Sequence, residues 1–440
     1  MAAECIGAKE DAHEADDAPE DEFEVTLESL LAAAPGFAQR VTLALCLSNA
    51  SDAVETLSLG FALPFLSWDW QGLVAASVFL GMLAGGCLAG YLTETYGPKR
   101  LLVQMLYLEA VAALATSGVG GPWQLAGGRF VSGLAIGAAV PPIFGLAEEL
   151  LFPRQRRLRS LSLIASSFIF GSLLVSLLAW LCLANNLGWR VFYACTGVVP
   201  MLNAALVSSW VPESPSFLQR QGRRAELVLE LRRLAPNGAF DVAGMAGGAF
   251  KVAQEANHLP SEEVPGLKPL LQWPLRPVAL RLGTICFSIA FAWYGLSTWL
   301  LKLFEEVGLE HRYLAAVAYA LSGVPGCVAS VLLLRCLQPW RLLAFWLLCT
   351  SLSCLSISLI ESGAQGPLLA AACVCFFNSV STGVFNVLTT VWGAPFSPSL
   401  RPFALGALSV ALRVGSICAQ FVDSALLSSH KVPEMTLLPA

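Results

Sequence analysis

Apolar residues in this chain neither alternate nor recur on a single helical stripe. They come in long blocks separated by short polar stretches. A bilayer core takes about 20 mostly apolar residues per helix. Eleven blocks reach that length, at roughly 41–66, 71–93, 101–119, 123–151, 159–184, 190–211, 278–302, 313–337, 340–361, 366–393 and 402–427. Leu, Ala, Val and Phe dominate them, with Gly and Ser interspersed as close helix packing in lipid prefers. The expected fold is an all-α polytopic membrane protein. Six spans form an N-terminal bundle over 38–211, a polar cytosolic linker covers 212–277, and five spans form a C-terminal bundle over 278–427. Within the linker, Arg223–Leu234 reads as a short amphipathic helix with Leu227, Leu231 and Leu234 on one face.

Composition agrees with the pattern. Of 440 residues, 56% are hydrophobic and only 13% charged, about half the charge of a soluble domain. Mean hydropathy is +0.66. The 13 Cys are scattered through apolar runs without paired CxxC clusters, so neither a disulfide scaffold nor a zinc site is expected. No hydrolytic, redox or phosphate-cradling motif is visible. His13, His258, His311 and His430 all fall in expected tails or loops. The chain is therefore read as a non-enzyme without metal or cofactor, and a sequence pI near 5.5 gives no support to a nucleic-acid partner.

Charge is unevenly distributed. Residues 1–28 hold eleven acids and one base, while the remainder has 25 bases and 20 acids. Residues 1–37 are expected to be a disordered acidic tail, and 428–440 a short tail. Lys and Arg favour the cytosolic loops. With the N-terminus cytosolic, the inner loops carry Lys99, Arg100, Arg154, Arg156, Arg157, Arg159, the linker bases, Arg335, Arg341 and Arg401. The outer loops carry only Arg190, Lys302 and Arg312.

A charge at membrane depth costs about 2.5–3.5 kcal/mol on insertion scales, and such residues usually face a polar cavity. Asp52 and Glu55 in span one share a helical face. Glu109 lies in span three, Arg129 in span four, and Arg413 and Asp423 in span eleven. At 1.5 Å per residue, Glu55 lies roughly 16 Å and Asp52 roughly 21 Å below the outer end of span one, and Arg129 roughly 9 Å below that of span four. An ion pair of Arg129 with Glu55, or with Asp52 as the less favoured choice, is expected. Such a pair can exchange a proton as its surroundings change.

Short motifs now fall into place around the spans. Gly90-Tyr91-Leu92-Thr93-Glu94-Thr95-Tyr96-Gly97-Pro98-Lys99-Arg100 resembles the GxLaDrxGrk loop signature of the major facilitator superfamily. Glu94 stands for the usual Asp, and Pro98 for a base. Arg129, Gly133 and Gly137, followed by Glu148 and Glu149, resemble that family's RxxxGxxxG helix with an acid near its cytosolic end. The most specific match is Pro212-Glu213-Ser214-Pro215-Ser216-Phe217-Leu218 through Arg220, Gly222 and Arg223, similar to the PESPrwLxxxGR stretch of sugar porters and their relatives. Asp52-Ala53-Val54-Glu55, Gly188-Trp189-Arg190, Gly323-Val324-Pro325-Gly326 and Arg413-Val414-Gly415 resemble the synaptic-vesicle-glycoprotein-related and organic-ion branch.

The resemblance implies alternating access between two bundles. It implies a cytosolic gating network of Gly90, Glu94, Gly97, Lys99, Arg100, Glu148, Arg154, Glu213 and Arg220, in which Gly90 gives close helix contact, Gly97 a tight turn and Glu94 a bridge to neighbouring bases. The second-half copy of the loop signature is reduced to Arg335–Arg341, Ala394 or a neighbour occupies the place of the acid expected after span ten, and no twelfth span follows Leu427.

In spans seven and ten, Trp293, Tyr294, Ser297, Asn378, Asn386 and Trp392 are candidate substrate contacts. The expected function is secondary active transport of a small organic solute, with organic ions among the candidates, coupled to protons through Asp52, Glu55 and Arg129. The expected protein is a monomer in the plasma membrane or an internal vesicle membrane. A sugar carrier and a non-transporting receptor or scaffold of truncated transporter fold are the alternatives.

Overall fold

A computed structural model describes residues 35–66, 70–234, 268–272, 274–358, 366–397 and 400–428. The acidic tail before Pro35, the linker over 235–267 and residues 429–440 lie outside them.

In the first bundle the long helices are α1 (Pro35–Ala62), α2 (Gln71–Tyr96), α3 (Pro98–Ser117), α4 (Pro122–Leu150), α5 (Arg154–Leu183) and α6 (Trp189–Trp210). Two short helices follow, α7 (Pro215–Arg220) and α8 (Arg224–Leu234). The second bundle holds α9 (Leu275–Glu306), α10 (Arg312–Leu333), α11 (Pro339–Ser358), α12 (Gly366–Val391) and α13 (Arg401–Ser428). All eleven expected spans are helices. Helix α1 starts six residues before the expected start of the first span at 41, and it closes in a 3-10 turn, Leu63–Phe65.

Among the described residues ten helices are long and apolar enough to cross a membrane by length and composition, and α1 is not one of them. Its middle carries Ser48, Asn49, Ser51, Asp52, Glu55, Thr56 and Ser58, all of them buried. A helix this polar stays in a membrane bundle because its neighbours satisfy it. Asn49 donates from Nδ2 to the Ile164 carbonyl at 2.8 Å, and Asn203 donates to Ser48 Oγ at 2.9 Å.

Packing follows a repeated scheme. In the first bundle α1 lies on α5, α2 on α4 and α3 on α6; in the second, α9 lies on α13 and α10 on α12. The α2–α4 seam is the tightest. Gly81 and Gly85 sit against the carbonyls of Phe130 and Leu134, while Gly133 and Gly137 sit against those of Val78 and Met82, so a Cβ at any of them would strike backbone. Gly90, expected to permit close contact, has open space where its Cβ would be.

The bundles meet through α1–α9, α2–α13 and α5–α10. We call the side bearing Lys99, Arg100, Arg154 and Arg401 the basic face. Close contacts between bundles cluster away from it. Gly60 abuts the Thr298 carbonyl, Gly72 abuts Ser424, Lys302 Nζ donates to Gln71 Oε1 at 2.8 Å, and the Phe79 and Tyr294 rings meet edge-on at 5.0 Å. Toward the basic face a cavity of about 660 Å³ opens beside α1 and α5, lined by Gln39, Thr42, Cys46, Arg156, Arg159, Ser160 and Ser167 among others. This cavity is walled by α1 and α5 alone, and Ser166 of α5 still meets Cys327 of α10 across the bundles at 3.3 Å.

Candidate functional site

Arg129 and Glu55 are both fully buried, and the guanidinium Nη1 lies 2.9 Å from Glu55 Oε2. The same Nη1 donates to Ser58 Oγ at 3.1 Å, and Nη2 donates to Thr116 Oγ1 at 3.3 Å. Ser132 Oγ donates to Glu55 Oε2 at 3.3 Å, and the guanidinium carbon lies 4.7 Å from the Tyr193 ring centroid. One cation therefore ties α1, α3, α4 and α6 together. A charge-assisted pair in this setting is strong only because further donors and acceptors complete it.

Asp52 is not a partner of Arg129. Its two carboxylate oxygens are buried without a hydrogen bond, and the cation whose charge acts on it is Arg413 of α13. Arg413 Nη1 is itself buried without a partner. The three-residue spacing puts both acids on one face but leaves them about 5 Å apart in depth, and Glu55 is the one at the level of Arg129.

Four candidate substrate residues are gathered at mid-depth. Trp293 Nε1 donates to Asn378 Oδ1 at 2.9 Å, and Asn378 Nδ2 donates to the Tyr319 carbonyl at 2.7 Å. Ser297 Oγ and Tyr319 Oη share a hydrogen bond of 2.6 Å. Trp293 meets Tyr294, Phe168 and Phe385 edge-on, at 4.8, 5.7 and 5.8 Å between centroids. Phe168 comes from α5, so this aromatic wall spans both bundles. Asn386 and Trp392 are not part of it. They follow Asn378 by eight and fourteen residues, near the end of α12 and just past it, about 12 and 20 Å toward the basic face. Trp392 instead packs with the apolar core of the second bundle. Tyr319, Phe168, Phe385 and Phe79 were missed, because Phe and Tyr in apolar spans carry no signal of their own.

On the basic face the gating set is rearranged. Glu213 accepts from the backbone N–H of Lys99 at 2.9 Å and of Arg100 at 3.3 Å, capping the first turn of α3. Burial pushes the Glu213 carboxyl above its usual range, and these backbone donors together with that of Ser214 pull it back. Gly97 makes the turn at φ 91°, with Phe217 and Glu213 filling the space a Cβ would need. Arg100 Nη2 reaches Glu226 Oε2 of α8 at 3.0 Å, and Arg223 also pairs with Glu226.

Glu94, Glu148, Arg154 and Arg220 are exposed, and the structure shows no ion pair for them among the described residues. Only the Glu94 carbonyl is used, accepting from Gln221 Nε2 at 3.1 Å, and only the Glu148 carbonyl, accepting from Arg157 at 3.1 Å. The acid of α4 that holds the loop is Glu149, which accepts from Ser214 Oγ at 2.6 Å and from the Ser216 N–H at 2.7 Å.

The model of the Major Facilitator Superfamily matches residues 41–420. The chain belongs to this family. It is a multi-pass membrane protein of a transporter family, and not an enzyme. Among its relatives is the niacin transporter NiaP of Acinetobacter baylyi, 24% identical over 86% of this chain and 85% of that one. The 3-(3-hydroxy-phenyl)propionate transporter of Escherichia coli is 24% identical over 87% and 83%. Human synaptic vesicle glycoprotein 2B is 26% identical, and the matched region covers 58% of this chain and 44% of that longer protein. The solved xylose transporter XylE of E. coli, in a partially occluded inward open conformation, superposes with a TM-score of 0.69 at 17% identity over 92% of this chain and 96% of that one.

Proposed function

We propose that this superfamily member is a proton-coupled carrier of small aromatic carboxylates that works by alternating access. The observation that carries the reading is the composition of the mid-depth site between the bundles. It offers an aromatic wall (Trp293, Tyr294, Phe168, Phe385) and an amide (Asn378), and Arg413, midway along α13, adds a cation with a buried Nη1 that lacks a partner. A flat ring with one carboxylate matches those groups, by stacking on the wall and by a charge-assisted bond to the guanidinium. The two relatives matching most of the chain are named for niacin and 3-(3-hydroxy-phenyl)propionate, both of which are small aromatic acids.

With the N-terminus cytosolic, as the basic loops favour, the side closed by Gly60, Gly72 and Lys302 faces away from the cytosol. Glu55 and Asp52 are then the acids through which protons drive uptake, with Arg129 holding Glu55 in place. The protein acts with protons and lipid as partners, as a monomer, in a plasma or vesicle membrane.

The purified protein in liposomes tests this with labelled nicotinate, 3-phenylpropionate and xylose under an imposed proton gradient. An aromatic carboxylate accumulates, and a protonophore abolishes the accumulation. Glu55→Gln keeps carboxylate exchange without a gradient but loses accumulation. Uptake of xylose alone, which the PESPSFL stretch favours as a second reading, overturns the carboxylate assignment. Accumulation by Glu55→Gln equal to that of the parent overturns the coupling role.

A further inference from the structure

The coupling reading gives no task to the buried acid of α3. Glu109, on α3, is fully buried, and neither of its carboxyl oxygens has a hydrogen-bond partner. Arg129 has a matching surplus, since its Nε is a buried donor without an acceptor. Glu55 Oε1 is also unpartnered. The cluster therefore holds three unpartnered carboxyl oxygens beside one unused guanidinium donor.

The guanidinium already touches the helix that bears Glu109. Arg129 Nη2 donates to Thr116 Oγ1 at 3.3 Å. Thr116 follows Glu109 by seven residues, which is two turns, so both lie on the same face of α3, with Glu109 about 10 Å nearer the basic side. The charged groups acting on Glu109 are Arg129 of α4 and Asp52 and Glu55 of α1. Tyr193 of α6 stacks on the same guanidinium. Helix α2, also packed on α3, has no charged residue before Glu94.

We propose that Glu109 is the alternate partner of Arg129. It is a positioning carboxyl that holds a proton while Glu55 is paired and releases it when the guanidinium swings to α3. The exchange balances. The O–H bond on Glu109 breaks, an O–H bond forms on Glu55, the guanidinium keeps all its protons, and the net charge of the cluster stays the same. The pairing seen here, Arg129 on Glu55, is one of the two arrangements. The other detaches α1 from α4 and ties α4 to α3, so that a proton on Glu55 loosens the helix facing the second bundle. Its consequence for transport rests on the coupling reading above; the exchange itself does not.

The test reads protonation directly. Infrared difference spectra of the full-length protein in lipid follow the C=O stretch of protonated carboxyls against pH. One such band is lost in Glu109→Gln, persists at a shifted position in Glu109→Asp, and is unaffected in Asp52→Asn. In Glu55→Gln the band attributed to Glu109 is lost as well, because Arg129 then takes Glu109 as its carboxylate. If no band is lost in Glu109→Gln, or if the band lost there is unchanged in Glu55→Gln, the proposal is overturned. Should Glu109→Gln fail to fold, the Glu55→Gln and Glu109→Asp arms decide it. If the bands behave as stated while uptake ignores the proton gradient, the coupling reading fails and the exchange stands.

Discussion

At the residue scale, Arg129 is the side chain with most to lose. Removing one partner of a buried ion pair strands the other, at a cost of about 3–5 kcal/mol. Arg129→Gln should therefore lower the unfolding temperature in detergent sharply. Glu55→Gln/Arg129→Gln should be more stable than Arg129→Gln alone, because no carboxylate is stranded. At the other site, Asn378→Ala leaves the Trp293 N–H buried without its acceptor, costing about 1–3 kcal/mol. It should weaken carboxylate binding more than it slows exchange at saturation, as read from concentration-dependent counterflow. Asp52, Glu55, Glu109, Arg129 and Arg413 were all legible as charges in apolar blocks. Which acid meets Arg129 was narrowed by depth and decided by the approach of α4. Asn386 and Trp392 lie apart from the aromatic wall, because residue type alone says nothing of depth along a helix.

At the element scale, helix ends carry the gates. Gly60 sits against the Thr298 carbonyl, where a Cβ would be 2.6 Å from the oxygen. Gly60→Val should hold the face away from the basic loops apart. Thr298→Cys, buried in the parent background, should then react with a membrane-impermeant maleimide from that side, while transport is lost. Unchanged labelling would mean that this contact is not what shuts the face. On the basic face, Glu149→Gln should destabilise the loop before α7, whereas Glu148→Gln should leave stability within about 0.5 kcal/mol, as expected for a surface change. A thermal-shift comparison of the two checks this. The sequence placed an acid pair at the end of α4 but could not choose between the two, since one residue is a rotation of 100° and only the docking of α7 says which direction is inward.

At the scale of the whole molecule, the pairings α1–α5 and α2–α4 return as α9–α13 and α10–α12. The α3–α6 pairing has no counterpart among the described residues. Helix α11 packs chiefly on α12 and exposes Phe345, Leu348, Leu352 and Leu355 along one stripe. The sequence by itself determined how many long helices there are, where they run and where charge enters them. Burying backbone in hydrocarbon demands a helix of set length from each apolar block, and that demand is local to the block. Tertiary structure alone decided which face is shut, which acid holds Arg129, and which aromatics from α5, α9 and α12 form one wall. Those depend on contacts between residues hundreds of positions apart, made through side chains whose type is ordinary for a membrane span.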